Sequence, residues 1–303
     1  MTRKLPPQYI VIRPPVEAYS ILIPVTGGCS WNKCKFCGTY KGVYSGGIQD
    51  YAIRPLEDVL KDIDYYAEKN YNGFPVFLAG GNPTSAPIQY LVTIIKYVRK
   101  TLKSVPRVTC YAKALDILRK SDNELKMLAE AGLDLVYMGL ESGSSKILRI
   151  MKKGTNAESM IKAGKKILKA GIKLSLYIIL GLGSYKYSEE HVKETAKVLT
   201  EINPTIFRFR TLNILPNTPL WNEWKSGEFE LMKPVDCLKE ERDIIAKLGE
   251  NVGSQVFNDH ISNYCAIESS NIKQDKIMFL KTLDSFINDP KIQNMPRKNL
   301  IYM

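Results

Sequence analysis

The sequence predicts an α/β fold in which parallel strands alternate with helices, followed by a mainly helical C-terminal extension. Three observations carry this expectation. Short runs of β-branched and aliphatic residues alternate with longer stretches of helical period. Six such strand-helix units fill about 200 residues, and the alternation stops beyond Leu220. No Gly-rich nucleotide turn follows the first strand, so a partial TIM-type (βα)6 barrel fits better than a doubly wound sheet.

The predicted strands are residues 20–25, 75–79, 107–112, 134–140, 173–180 and 205–212. Between them lie helical stripes: Val59, Leu60, Ile63, Tyr66 and Ala67; then Leu91, Ile94, Ile95 and Val98; then Leu125 with Leu128. Met160, Ile161, Gly164, Ile167 and Leu168 form the next stripe, and Val192, Ala196 and Leu199 the last. Gly132 and Gly171 stand where left-handed C-caps end helices ahead of strands. Residues 236–248 and 277–287 read as two further helices around an extended piece, 254–261. The organisation expected is therefore a barrel core with an N-terminal cap over residues 1–222 and an extension packed on it over 223–303.

At 303 residues, 45% hydrophobic and 24% charged, the chain sits in the globular range, which excludes a disordered, collagenous or coiled-coil protein. No apolar run reaches the roughly 18 residues that span a bilayer, and residues 1–7 lack the features of a secretory leader. A cytoplasmic protein without membrane insertion is expected. The net charge of +12 permits attraction to nucleic acid, acidic membranes or a small anion. The lysines are spread without a dense block, as on a solvated surface, so nucleic acid is possible but not favoured.

Six cysteines are too sparse for a disulfide framework, and three of them, Cys29, Cys34 and Cys37, crowd into a C-x4-C-x2-C segment after the first strand. Soft thiolates at this spacing suit zinc or an iron–sulfur cluster. A fourth ligand is wanting: Cys110 lies in a predicted strand, and the histidines, His191 and His260, are both far away in sequence. Three thiolates leave one corner of a cubane open, and an open coordination site is what catalysis requires.

Further along, Gly80, Gly81 and Asn82 follow the second predicted strand, where glycines let backbone approach a ligand closely. Gly139, Leu140, Glu141, Ser142 and Gly143 end the fourth, and Lys152, Lys153 and Gly154 come soon after. Strand alternation puts Glu141 on the face opposite Val136, Met138 and Leu140, pointing into the barrel. The fifth strand ends in Gly181, Leu182 and Gly183. In the sixth, Phe207 and Phe209 alternate with Arg208 and Arg210; if the phenylalanines pack under helices, both guanidiniums enter the barrel and need anionic partners. An internal carboxylate such as Glu141 serves, and so does a substrate carboxylate or phosphate held bidentately. In the extension, Asp259 to Tyr264 form a dense polar and aromatic patch. It reads either as a strand-end cap or as a segment that places His260 or Tyr264 to pass a proton or hydrogen atom. The tryptophans Trp31, Trp221 and Trp224 read as packing.

These parts, in this order, resemble the radical S-adenosylmethionine (SAM) enzymes, and the glycine segments and the turn at Pro216 to Leu220 resemble the Elp3-like and coproporphyrinogen dehydrogenase-like branch. The cysteine spacing departs by one residue from that family's usual C-x3-C-x2-C. The resemblance implies that Cys29, Cys34 and Cys37 hold a [4Fe-4S] cluster whose fourth iron binds SAM. It also implies that Gly80, Gly81 and Asn82 meet the methionyl amino group, Glu141 the ribose, Lys153 the carboxylate and Gly181 the adenine. Reductive cleavage of SAM would yield a 5'-deoxyadenosyl radical that takes hydrogen from a substrate. A low-potential electron donor such as flavodoxin or ferredoxin is then required, and oxygen sensitivity follows. Three readings stay open: a radical SAM enzyme for a small anionic substrate at Arg208 and Arg210, a tRNA-modifying radical SAM enzyme, and a non-catalytic iron–sulfur electron carrier.

Overall fold

Runs of β-branched and aromatic residues become strands buried on both faces, and stretches with apolar residues every three or four positions become the helices that cover them. The computed structural model describes residues 12–42 and 50–298. Residues 1–7, where no leader is expected, lie outside the described residues.

In chain order the strands are β1 (Ile21–Pro24), β2 (Thr26–Gly27), β3 (Ala52–Ile53), β4 (Val76–Ala79), β5 (Val108–Ala112), β6 (Leu135–Glu141), β7 (Lys173–Leu180), β8 (Ile206–Thr211), β9 (Gln255–Phe257) and β10 (Glu268–Ser269). The helices are α1 (Leu56–Glu68), α2 (Ile88–Thr101), α3 (Ala114–Leu118), α4 (Asp122–Ala131), α5 (Ser145–Ile150), α6 (Ala157–Lys169), α7 (Ser188–Ile202), α8 (Pro219–Lys225), α9 (Pro234–Ala246), α10 (Ile272–Asn288) and α11 (Pro290–Gln293). The six predicted strands are β1, β4, β5, β6, β7 and β8, each end within about one residue. Gly132 and Gly171 have the expected left-handed φ, 104° and 85°.

The extended piece expected over 254–261 is a strand only over Gln255–Phe257, several short elements are unforeseen, and two further departures have a visible local cause. The Pro216 to Leu220 turn is cut short by α8, because Thr218 accepts the Trp221 amide at 3.2 Å and Pro219 takes the first helical position. Helix α10 begins ahead of its predicted start, because Asn271 caps it by accepting from Lys273 N at 3.1 Å.

The chain divides into two compact units. The first holds, among the described residues, 12–32, 39–42, 50–138 and 165–174. Its parallel strands run in the order β1-β4-β5-β6, and β2 pairs antiparallel with β3. All four residues of β4 are buried. Phe77 meets Tyr111 edge-on at 5.1 Å, in the preferred geometry for aromatic pairs. The fully buried Glu17 carboxylate accepts from Arg107 Nη2 at 3.0 Å, Thr109 Oγ1 at 3.0 Å and Tyr137 Oη at 2.5 Å. A buried charge is tolerable only with such a set of donors, and this one ties the segment before β1 to β5 and β6.

The second unit holds 33–38, 139–164 and 175–298 of the described residues. Its strands run β7-β8-β9-β10, the first three parallel and β10 antiparallel to β9. Phe207 and Phe209 are fully buried, and Arg208 and Arg210 alternate with them. Ile147, Met151, Leu182, Leu212, Ile214, Leu220 and Phe229 form a core cluster, with Phe36, Trp221 and Trp224 packed against it. Helices α7, α9 and α10 pack together, which gives this unit its helical C-terminal part. Among the described residues no helix is long and apolar enough to cross a membrane.

Candidate functional site

In the first unit the cysteine segment starts on a glycine floor. Gly81 donates its amide to Gly28 O at 3.0 Å, and a Cβ on Gly81 would lie 2.8 Å from both Cα and Cβ of Cys29. Only glycine permits that approach. Asn82, fully buried, fastens the next residues: its Oδ1 accepts from Ser30 N at 3.0 Å, and its Nδ2 donates to Ser30 Oγ at 2.7 Å and Asp116 Oδ2 at 2.6 Å. Lys113 reaches Ser30 Oγ at 3.1 Å with its ammonium 5.6 Å from the Trp31 ring.

In the second unit the cysteine segment continues through Cys34 and Cys37, and the Cys37 amide donates to Cys34 O at 3.4 Å. Lys35 N donates to Met151 O at 3.0 Å, and Leu220 N donates to Lys35 O at 3.1 Å, so the end of α5 and the start of α8 hold the segment from both sides. Glu141 ends β6 with φ 62°, a left-handed conformation that costs a residue with a side chain about 1 kcal/mol or more. Its Oε1 stands 2.5 Å from Lys153 Nζ. Gly139 makes room for the pair, since a Cβ there would lie 1.9 Å from that Oε1. Burial alone would lower the Lys153 pKa; the Glu141 carboxylate, with Cys34 and Cys37, outweighs it and holds the ammonium above the ordinary lysine range.

At the end of β7, Gly181 N donates to Glu240 Oε2 at 2.6 Å and Ser188 Oγ donates to Glu240 Oε1 at 2.6 Å. Burial raises Glu240 to about 7, against those two bonds. It lines a cleft of about 510 Å³ with Tyr185, Ser188, Met232 and Asp236. Next to it in sequence, Glu241 is fully buried and raised to about 8 by that burial, with Asn258 as its hydrogen-bond donor. Neither glutamate is anticipated by the sequence reading. A signal exists for Glu241: Cys237, Glu241, Ile244, Ile245 and Leu248 recur at helical spacing, so an acid occupies an apolar stripe.

Arg208 and Arg210 have a protein carboxylate, and it is not Glu141, which Lys153 engages. Arg208 Nη1 lies 3.3 Å from both oxygens of Asp259, and Arg210 Nη1 lies 3.9 Å from Asp259 Oδ1. The Arg208 guanidinium is stacked 4.1 Å from the Phe257 ring centre, and Arg210 is 5.0 Å from that of Tyr177. The Arg208 side chain is 5% exposed, and its Nε has no hydrogen-bond partner. Asp259 is 52% exposed.

His260 accepts the Ser262 amide on Nδ1 at 3.1 Å, which puts the proton of the neutral ring on Nε2. Burial, then Arg210, pushes His260 down to about 4. Tyr264 is buried and accepts from Lys298 N at 3.1 Å. His191 is fully buried against Ser142 Oγ at 2.8 Å and lowered to about 4 by that burial.

The donor chemistry fits an iron–sulfur cluster. Cys29, Cys34 and Cys37 are half-buried, none of them in a disulfide, on one short segment, and a buried ammonium held charged beside two of them offsets negative charge. Among the described residues no three His, Cys, Asp or Glu side chains converge as they would around one ion. A cubane is ligated at separate corners and does not ask for such convergence.

Residues 23–199 match the Radical SAM superfamily. The chain is 26% identical to an uncharacterized protein of Methanocaldococcus jannaschii over 86% of this chain and 77% of that one. It is 24% identical to biotin synthase of Buchnera aphidicola, over 94% of this chain and 83% of that one. Coproporphyrinogen III oxidase of Escherichia coli superposes with a TM-score of 0.54 at 18% identity, covering 75% of this chain and 51% of that one, which establishes likeness of fold. With more than half of its length matched, and with cysteines, glycines and Glu141 in the order described, this chain belongs to the radical SAM superfamily, whose enzymes work with a [4Fe-4S] cluster and S-adenosylmethionine.

Proposed function

We propose that this enzyme abstracts hydrogen from a small anionic substrate whose negative group is received by Arg208 and Arg210. The observation that carries the reading is Arg208 itself: a guanidinium 5% exposed that, among the described residues, has no partner for its Nε and pairs with the carboxylate of Asp259, 52% exposed, at 3.3 Å. A buried guanidinium so lightly compensated favours a second anion, and its planar edge suits a bidentate carboxylate or phosphate.

Residues 1–222 serve as the radical SAM core and 223–303 as its extension. Cys29, Cys34 and Cys37 hold the cluster. Gly80 and Gly81 supply bare backbone toward the methionyl end of SAM, while the Asn82 side chain fixes Ser30. Glu141 accepts from the ribose hydroxyls and Lys153, kept charged, attracts the SAM carboxylate. Gly181, its amide engaged by Glu240, offers the adenine a surface without a side chain. Held by Cys29, Cys34 and Cys37, a [4Fe-4S] cluster would supply the single electron whose transfer to SAM cleaves it to methionine and a 5'-deoxyadenosyl radical. His260, neutral at pH 7 with its proton on Nε2, and Tyr264 are the candidates for moving a proton near the substrate.

The test is anaerobic: reconstitute the protein, count iron and sulfide, add SAM and dithionite, and quantify 5'-deoxyadenosine, with Cys34→Ala as control. The expected result is about four irons per chain and cysteine-dependent 5'-deoxyadenosine. A panel of carboxylates, phosphates, neutral compounds and tRNA is then compared for stimulating its formation. Stimulation by anions that Arg208→Gln removes supports the site. Stimulation by tRNA alone, or by neutral compounds alone, overturns it.

A further inference from the structure

We propose that Glu240, carried by the C-terminal extension, is a positioning residue for the nucleoside end of S-adenosylmethionine and acts through the Gly181 turn. The proposal rests on the reading that Gly181 meets the adenine. Every group it invokes lies in the second unit.

The sheet reaches as far as Leu180, whose carbonyl accepts the Leu212 amide at 2.9 Å. One residue on, the chain turns: Gly181 has φ 78°, and its carbonyl accepts the Ser184 amide at 3.1 Å. Gly181 is buried, so its own amide must find an acceptor inside the protein. That acceptor is Glu240 Oε2 at 2.6 Å, and Ser188 Oγ, at the start of α7, donates to Oε1 at 2.6 Å. Glu240 is 2% exposed, and a carboxylate is costly to bury, so the amide of the turn and the hydroxyl are what compensate it.

Other residues of the extension back the same turn. Cys237 lies three residues before Glu240 on α9, on the same face of the helix. A Cβ on Gly181 would stand 3.4 Å from Cys237 Sγ and 3.9 Å from Met232 Cβ. Arg297 closes this layer: Nη1 donates to Met232 O at 2.7 Å, and Nη2 donates to Leu212 O. Glycine has the most backbone freedom to lose, and a turn fixed before the ligand arrives avoids that loss on binding. The bond from Gly181 N to Glu240 does this for the adenine without touching it.

The experiment uses the reconstituted holoenzyme without reductant, under anaerobic conditions. Three probes are compared by equilibrium dialysis: S-adenosylhomocysteine, 5'-deoxyadenosine for the nucleoside end alone, and L-methionine for the other end. Glu240→Met keeps the length and removes the acceptor, and should weaken S-adenosylhomocysteine and 5'-deoxyadenosine about tenfold while methionine changes less than about twofold. Glu240→Gln keeps an oxygen for Gly181 N and offers a donor to Ser188 Oγ, so all three probes should stay within about twofold of the wild type. Ser188→Ala leaves the carboxylate held at one oxygen only, and about threefold weakening of the same two nucleosides is expected. The proposal is overturned if Glu240→Met binds 5'-deoxyadenosine as the wild type does, if it weakens methionine equally, or if Glu240→Gln is as impaired as Glu240→Met. Should Glu240→Met not fold, Ser188→Ala decides: selective weakening of the nucleosides supports the proposal, and unchanged binding overturns it. A wild type that binds neither nucleoside is a different failure, that of the reading that Gly181 meets the adenine.

Discussion

Lys153 and Glu141 form a 2.5 Å ion pair, 18% and 11% exposed, at the place where β6 leaves the extended conformation. Removing one member leaves the other buried without its counter-charge. Lys153→Met is therefore expected to cost about 3 kcal/mol, and the double replacement Lys153→Met with Glu141→Gln less than the single one. Gly139→Ala should break the same pair by filling the space that Glu141 Oε1 occupies. Because the lysine pKa is raised, this contribution is complete below the unfolded value near 10.4 and is lost only as pH rises through the folded one. Urea denaturation at pH 7 and pH 9 should accordingly give the same loss for Lys153→Met; a loss confined to one of them contradicts the assignment.

Glu240 and Glu241 should make stability fall as pH rises. Their folded values of about 7 and about 8 lie above the unfolded carboxylate value, so the folded chain binds more protons through that window. His191 and His260, lowered to about 4, act oppositely between about 4 and 6.5, where the unfolded chain binds more protons and stability rises with pH. The two effects oppose each other from about pH 4.5 to 6.5, and the carboxyls act alone above it. Thermal melts should show the wild type losing stability between pH 6.5 and 8. Glu240→Gln with Glu241→Gln should lose none there and should gain stability between pH 4 and 6.5. The cleft beside Glu240 gives its proton a route to solvent. Parallel pH profiles for wild type and variant would sink this account.

Much of the frame was legible because local pattern and final burial coincide. The run in β7, Lys173 to Leu180, is strand by composition and strand in the fold, and Phe207 and Phe209 are buried as their alternation requires. Helix α8 was not, since seven residues are too few for a period to show, although Thr218 and Pro219 do mark a start. Alternation puts Glu141 in a regular strand and has no means of foreseeing its positive φ, or that its carboxylate lies where a side chain on Gly139 would stand. The partner of Arg208 lies in the extension, at Asp259, and no spacing rule connects β8 to a residue after β9. Glu17 stayed hidden for the same reason, its donors coming from β5, β6 and the residue before β5.

Asn82 is expected to govern cluster retention. Its amide satisfies Ser30 N and Ser30 Oγ on the exposed side and Asp116 on the buried one, Asn82 itself being fully buried. Asn82→Ala strands these groups at a cost of about 2 kcal/mol. Asn82→Asp keeps the size and the acceptor for Ser30 N but sets a second carboxylate 2.6 Å from Asp116, and should be the worse of the two. Iron per chain after reconstitution and gel filtration should fall in both, more in Asn82→Asp at pH 8 than at pH 6, because protonation relieves the repulsion. Full iron content in both variants would show that Ser30 needs no such anchor.

The Arg208–Asp259 pair predicts an asymmetry. Asp259 is half exposed, so Arg208→Met frees a carboxylate that water can take up, and the cost should stay within about 1 kcal/mol. Arg208 is 5% exposed, so Asp259→Asn leaves a buried guanidinium with no full counter-charge, and about 2–3 kcal/mol should be lost. The order of the two costs is the test, measured by urea denaturation with the double variant closing the cycle. An added anion should restore Asp259→Asn, because a carboxylate bound at the guanidinium supplies the charge that the substitution removed. Raising acetate from zero to 100 mM at constant ionic strength should therefore shift the Asp259→Asn midpoint upward and leave Arg208→Met where it was. Equal shifts in both variants would place the acetate elsewhere and remove the case for an anion at Arg208.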